Sequence, residues 1–296
     1  MTLQGCGTAL ITPFLPDGSL DEPALHSLVH AQIAAGISLL IPCGTTGEAS
    51  TLSEAETQRV VEIVIEASAG RVPIFAGCTH NSTQQAVSNA QRLAKIPGLT
   101  GLLTANPYYN RPGQEGQYQH FRAIAESVSL SVMLYNIPGR TATNLLPETA
   151  LRLAEIPNIV AIKESSGVMG QITELLTHAP SSFHVFAGDD ALALPVVALG
   201  GSGVISVASN AIPGPLCRMI AAALANDWPT ARTLNAQHFA FVQALFTEPS
   251  PAPIKAALAL LGQCSETLHL PMVPVTDGTR SRLQTLLTRL VSREAD

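Results

Sequence analysis

The sequence predicts an α/β fold, a (β/α)8 TIM barrel with a C-terminal helical extension. Three observations carry the prediction. Short apolar runs alternate with helix-length segments along most of the 296-residue chain. Most of these runs are continuously apolar rather than alternating, as parallel strands covered on both faces are. The units recur at roughly thirty residues, the length of a strand–helix–strand step with a right-handed crossover. Eight such units favour a closed barrel; an open doubly wound sheet is the alternative.

The strands are expected at Gly7–Thr12, Ser38–Cys43, Val72–Gly77, Gly101–Ala105, Ser131–Asn136, Ile159–Lys163, His184–Ala187 and Gly203–Val207. Ser53-Glu54-Ala55-Glu56 reads as a capping box ahead of the helix Arg59–Ala69. Pro147-Glu148 opens another helix, because proline suits the first helical turn, and Ile156-Pro157-Asn158 closes it. After Val207 the strand pattern stops. Helices are expected at Pro215–Ala225, Pro229–Phe246, Ile254–Leu261 and Thr279–Arg293, with Thr247–Pro253 a stiff extended connector. The first of these helices completes the barrel. The catalytic barrel is therefore expected to span 1–226 and the helical extension 227–296.

Composition narrows the partners. The formal net charge is −6, with no basic run, so nothing points to nucleic acid or an anionic membrane. The five cysteines are scattered without zinc or redox spacing and read as small buried hydrophobes in a reducing compartment. Met1 to Phe14 has no basic start and no long apolar run, so it does not read as a signal peptide. Ala191–Cys217 has no charged residue and is long enough to span a bilayer, but glycines and prolines interrupt it. It reads as a buried helix, a turn and a buried strand. A cytoplasmic protein is expected.

In a barrel the active site lies at the C-terminal strand ends. Strand two ends in Cys43-Gly44-Thr45-Thr46-Gly47-Glu48, where glycines flank two hydroxyls before a helix. Backbone can approach a small carboxylate closely there; an ordinary capped βα turn is the plain alternative. Strand four runs into Pro107-Tyr108-Tyr109-Asn110-Arg111-Pro112, which holds two of the four tyrosines. Strand five ends in Tyr135, followed in its loop by Arg140. Tyrosine can relay a proton, and arginine can hold a carboxylate bidentately.

Strand six carries the strongest signal. Lys163 is one of three lysines, and it alone ends an apolar barrel strand. Burying an ammonium costs several kcal/mol in order of magnitude unless it is paired. Desolvation favours the neutral amine of a lysine, and a neutral amine attacks carbonyls. Pairing with a nearby carboxylate, or an ammonium that reaches solvent, is the alternative. Strand seven ends in Gly188-Asp189-Asp190 and strand eight in Val204-Ile205-Ser206. The two aspartates suit a helix N-terminus better than a metal. The eight histidines show no ligand spacing, so no metal is expected. A cofactor is not needed if lysine supplies the covalent chemistry.

Gly44-Thr45-Thr46-Gly47-Glu48, the double-tyrosine loop, Tyr135-Asn136-Ile137-Pro138-Gly139-Arg140-Thr141, Ile162-Lys163-Glu164 and Gly188-Asp189-Asp190 occur in one order and spacing. Together they resemble the dihydrodipicolinate synthase (4-hydroxy-tetrahydrodipicolinate synthase) family of pyruvate-dependent Schiff-base lyases. The likeness extends along essentially the whole chain. It implies that Lys163 forms a Schiff base with pyruvate and that the enamine condenses with aspartate 4-semialdehyde to give 4-hydroxy-tetrahydrodipicolinate, a step of diaminopimelate and lysine biosynthesis. It implies that Tyr135 moves protons through Thr45 to a Tyr109 supplied by the neighbouring subunit. Thr46 would hold the pyruvate carboxylate and Arg140 that of the semialdehyde, with the backbone of Gly188 and Ile205 lining the pocket. It implies a homo-oligomer, a tetramer built as a dimer of dimers.

The resemblance also points to an allosteric lysine site around Ala49, Ser50, Glu54, Asn81, Gln85 and Tyr108. Two histidines of familiar inhibited members are replaced here by Glu54 and Thr57, and an acidic residue by Gln85. Asn81 and Tyr108 are kept. An amide cannot replace the charge of a carboxylate, so inhibition by lysine is expected to be weak or absent. The runner-up is another pyruvate-dependent aldolase of the same superfamily, such as an N-acetylneuraminate lyase or a keto-deoxy-sugar acid aldolase. A non-catalytic metabolite-binding barrel is a third reading, one with no use for the strand-end lysine.

Overall fold

All eight strands are present and parallel: β1 (Gly5–Ala9), β2 (Leu39–Ile41), β3 (Phe75–Gly77), β4 (Gly101–Ala105), β5 (Ser131–Asn136), β6 (Ile159–Glu164), β7 (His184–Ala187) and β8 (Gly203–Ser206). The computed structural model describes residues 3–294, with side chains as far as Leu290. Met1, Thr2 and the last residues of the expected extension lie outside that description. The strand order is β2-β1-β8-β7-β6-β5-β4-β3. A parallel bridge, Leu40 to Ile74, joins the two ends, with the Leu40 N–H donating to the Pro73 carbonyl at 3.0 Å. The sheet closes, which removes the doubly wound alternative.

The barrel-side helices are α1 (Glu22–Ala34), α2 (Glu54–Ser68), α3 (Thr83–Leu93), α4 (Gln114–Glu126), α5 (Pro138–Thr141), α6 (Pro147–Ala154), α7 (Met169–His178), α8 (Ala193–Ala198) and α9 (Pro213–Leu224). Beyond them lie α10 (Trp228–Ala244), α11 (Ala252–Leu260) and α12 (Asp277–Glu294). The capping box forms as read: Ser53 caps the Glu56 N–H, and the Glu56 carboxylate accepts from the Ser53 N–H at 2.8 Å. Pro147 opens α6.

The alternation of side chains along the strands sets the site. Leu39, Ile41, Phe75, Leu103, Met133, Ala161, Phe186 and Ile205 fill the barrel interior. Leu102, Val132, Leu134 and Ile162 face the helices instead. On β6, Ala161 points in and Ile162 out, so Lys163 points in.

One expectation needs correction. Thr247–Pro253 is not extended: it turns, with the Ala252 N–H donating to the Pro249 carbonyl at 3.1 Å and α11 starting at Ala252. The Ser250–Pro251 bond is cis. The proline-rich composition suggested a rod, but Ser250 and Pro251 are buried against the barrel mouth, and burial sets their path. The apolar stretch 191–217 breaks into a 3-10 turn, α8, β8, a second 3-10 turn and the start of α9. Among the described residues no helix is long and apolar enough to cross a membrane.

Candidate active site

Lys163 lies at the C-terminal end of β6, beside Tyr135 on β5, its partner in the strand register. The residue is 3 % exposed, and its Nζ stands 4.3 Å from the centre of the Tyr135 ring. Among the described residues Lys163 has no ion pair and no hydrogen bond. The carboxylate next to it, Glu164, faces the other way. It accepts from Asn136 Nδ2 at 2.9 Å, Gln171 Nε2 at 3.3 Å and the Ser166 N–H at 2.6 Å. Burial pushes the Glu164 carboxyl above its usual range, and these hydrogen bonds oppose the shift. Among the described residues Lys163 therefore has no carboxylate partner.

Beside Tyr135, whose ring lies against the amine, opens a cavity of about 340 Å³, a size that suits a small metabolite. Thr45, Tyr135 and Arg140 line it from the strand ends, and Pro251 and Met272 from the extension. Arg140 Nη2 donates to the Ser250 carbonyl at 3.2 Å, which leaves its other donors for a ligand. Cys43 also lines the cavity, but burial pushes its thiol up to about 12, so it is no competing nucleophile.

Glycine is required at the end of β7. A Cβ at Gly188 would overlap Ser165 Oγ and stand 2.9 and 3.0 Å from Lys163 Cγ and Cε. Gly188 thus packs along the lysine stem. The Ser165 hydroxyl is buried beside it without a hydrogen-bond partner. Thr46 and Ile205 are both buried, Ile205 in the barrel interior below the cavity. Asp189 caps the 3-10 turn at the Ala191 N–H, and Asp190 accepts from the Val207 N–H at 3.0 Å and the Ala208 N–H at 3.2 Å. The aspartates organise backbone.

The two tyrosines of the loop part company. Tyr109 has φ 72° and is 89 % exposed, while Tyr108 lines the cavity wall. Of the expected lysine-site residues, Ala49 and Ser50 lie at the cavity edge. Glu54 starts α2 and pairs with Arg92 at 3.7 Å. The Asn81 carbonyl accepts from Asn110 Nδ2 at 2.9 Å, and Gln85 Nε2 donates to Asn89 at 3.1 Å.

Sequence reasoning missed Lys255. It sits on α11, wholly buried, 2.5 Å from Glu48 of the strand-two turn. The signal was available: one lysine in the apolar run Ala252–Leu260. It also missed the part of the extension that walls the cavity, because Pro251 and Met272 are distant in sequence from every strand end.

A buried amine against the ring of Tyr135, in a site where that phenol and the Arg140 guanidinium line a pocket, is equipped to capture a carbonyl compound that carries a carboxylate. Fold and site together define a class, the Schiff-base-forming lyases built on α/β barrels. The chain belongs to the dihydrodipicolinate synthetase family, whose pattern it matches over residues 2–290. It is 57 % identical over 291 residues to the 4-hydroxy-tetrahydrodipicolinate synthase of Acidobacterium capsulatum, covering 98 % of this chain and 96 % of that one. It is 52 % identical over 284 residues to the enzyme of the same name from Koribacter versatilis, covering 96 % and 95 %. Among solved structures, the 4-hydroxy-tetrahydrodipicolinate synthase of Methylacidiphilum fumariolicum SolV superposes with a TM-score of 0.95 at 40 % identity, covering 99 % of this chain and 97 % of that one.

Proposed function

We propose that this chain condenses pyruvate with aspartate 4-semialdehyde to 4-hydroxy-tetrahydrodipicolinate, a step of diaminopimelate and lysine biosynthesis. The observation that carries the reading is Lys163, an amine buried at a strand end with no ion-pair or hydrogen-bond partner among the described residues. Its Nζ adds to the ketone carbon of pyruvate, and loss of water gives an iminium. The iminium draws electrons from the methyl carbon, a proton leaves, and an enamine forms. That carbon attacks the aldehyde. The amino group of the semialdehyde then adds to the former ketone carbon, the ring closes, and the Lys163 amine departs.

Tyr135, whose ring lies against Lys163, is assigned the proton transfers, passed through Thr45 to Tyr109. Thr46 and the turn around it hold the pyruvate carboxylate. Arg140 holds the carboxylate of the second substrate. The backbone of Gly188 and Ile205 lines the pocket. The exposure of Tyr109 supports its service to a neighbouring subunit, so a dimer is the minimal complete unit and a dimer of dimers the assembly we assign. Residues 1–226 form the catalytic barrel and 227–296 the extension, in a cytoplasmic enzyme. With Glu54, Thr57 and Gln85 at the lysine site, feedback inhibition is weak or absent; half-inhibition at sub-millimolar lysine would overturn that. Steady-state rates with pyruvate and a panel of aldehydes test the substrate assignment. Aspartate 4-semialdehyde is expected to give the highest kcat/KM, and a preference for N-acetylmannosamine or a sugar-derived aldehyde would move the chain to the sister aldolases.

A further inference from the structure

The second buried lysine has no place in the chemistry above. Lys255 is 0 % exposed. Its Nζ lies 2.5 Å from Glu48 Oε1, donates to the Thr267 carbonyl at 2.8 Å and stands 4.1 Å from the centre of the Phe14 ring. The other Glu48 oxygen accepts from the His269 N–H at 3.0 Å. The His269 ring stacks on Phe14, with centroids 3.8 Å apart, and its Nε2 lies 2.8 Å from the Gly18 carbonyl oxygen. One carboxylate thus joins the strand-two turn, α11 and the loop that follows α11. Burial pushes the Lys255 ammonium down, and the Glu48 charge beside it pulls the other way.

Glu48 closes the turn that carries Thr45 and Thr46. It has φ 56°, a left-handed conformation that a glutamate adopts when its surroundings hold it there. Its N–H donates to the Thr45 carbonyl at 3.1 Å, and its own carbonyl accepts from the Thr51 N–H and hydroxyl, each at 3.0 Å. Both sides of the clamp reach the cavity: Thr45 and Glu48 from the turn, Pro251 just before Lys255, and Pro271 and Met272 just after His269. A buried ion pair is a poor source of net stability, because desolvation offsets the attraction. It is a good source of geometry, because neither charge tolerates separation from the other.

We propose that Glu48 and Lys255 are positioning residues for the reaction: the pair locks the Thr45–Thr46 turn to the C-terminal extension, so that the pyruvate-carboxylate pocket is complete only when the extension is docked. The proposal rests on the reading that this turn holds pyruvate. It gives the extension a task in the site beyond solubility or assembly.

The test uses the full chain in three forms: wild type, Glu48→Gln, and Glu48→Gln with Lys255→Met. The double variant removes both charges, so neither is left buried alone. Glu48→Gln keeps the shape of the side chain and an acceptor for the His269 N–H. Each protein is melted, then titrated with pyruvate under borohydride, and the adduct on Lys163 is quantified. The pair as a positioning device predicts folded variants whose half-saturating pyruvate rises roughly ten-fold, the scale of a sub-ångström misplacement, while kcat at saturating pyruvate changes far less. Unshifted pyruvate titrations in folded variants overturn the proposal, whatever their melting temperatures. If the double variant fails to fold, Glu48→Gln alone decides by the same shift. No adduct on the wild-type protein is a different failure, that of the pyruvate reading itself.

Discussion

Gly188→Ala tests how tightly the site holds its nucleophile. The new methyl would overlap Ser165 Oγ and stand 2.9 and 3.0 Å from Lys163 Cγ and Cε. Non-bonded carbons rest at about 3.5–4.0 Å, so the lysine stem must yield by roughly half an ångström or more. The serine hydroxyl can rotate aside; the lysine Cγ is close to the backbone and can move only by swinging the amine. Overpacking of this kind costs about 1–3 kcal/mol of stability. Misplacement of a reacting group by about 1 Å costs on the order of a hundred-fold in rate, so a ten- to hundred-fold fall in kcat/KM for pyruvate is expected. Gly170→Ala is the control, since a Cβ there meets nothing within 4 Å. The assay is steady-state turnover beside thermal melting, with Ser165→Ala/Gly188→Ala included. Wild-type kcat/KM in a folded Gly188→Ala protein would refute the reasoning. Full recovery in the double variant would place the strain on Ser165 rather than on Lys163.

Three further outcomes follow from the same geometry. Arg140→Ala is expected to raise KM for the aldehyde about ten-fold or more, the loss of a charge-assisted hydrogen bond, while pyruvate capture on Lys163 stays as it was; equal losses for both substrates would contradict the assignment. Tyr109→Phe and Lys163→Ala, each inactive alone, should regain activity when unfolded and refolded together, because a mixed dimer holds one site with both groups; no recovery would place Tyr109 in the site of its own chain. Burial raises the Glu164 carboxyl, so its contribution to stability is full below the unfolded-chain value near 4.3 and is lost as pH climbs through the folded value. The stability of the wild type relative to Glu164→Gln should therefore decline as pH rises above the unfolded-chain value of about 4.3, and a difference that stays flat in denaturant titrations would contradict the buried-carboxyl account.

Much of this was legible in the sequence because parallel barrel strands announce themselves. β4, β5 and β7 have the expected bounds, since each is a short apolar run bracketed by polar or turn residues. β2 and β3 are shorter than read, at Leu39–Ile41 and Phe75–Gly77, because the chain leaves the ladder for the Cys43–Glu48 turn and for Pro73. Lys163 was found because, of three lysines, it alone ends an apolar strand. Lys255 interrupts an apolar helix just as plainly, but its partner lies over two hundred residues away, and no local pattern connects them. The cavity wall at Pro251 and Met272 is a tertiary fact of the same sort. The orphan hydroxyl of Ser165 and the fit of Gly188 to the lysine stem become visible only when β6 and β7 are side by side.

The central claim is that Lys163 is the amine that captures pyruvate. Incubation with pyruvate, reduction with borohydride and peptide mapping by mass spectrometry test it directly. The account predicts a pyruvate-derived adduct on the peptide bearing Lys163, absent from Lys163→Ala, with Lys95 and Lys255 unmodified. No adduct on the folded protein, or an adduct on Lys255 instead, would contradict it.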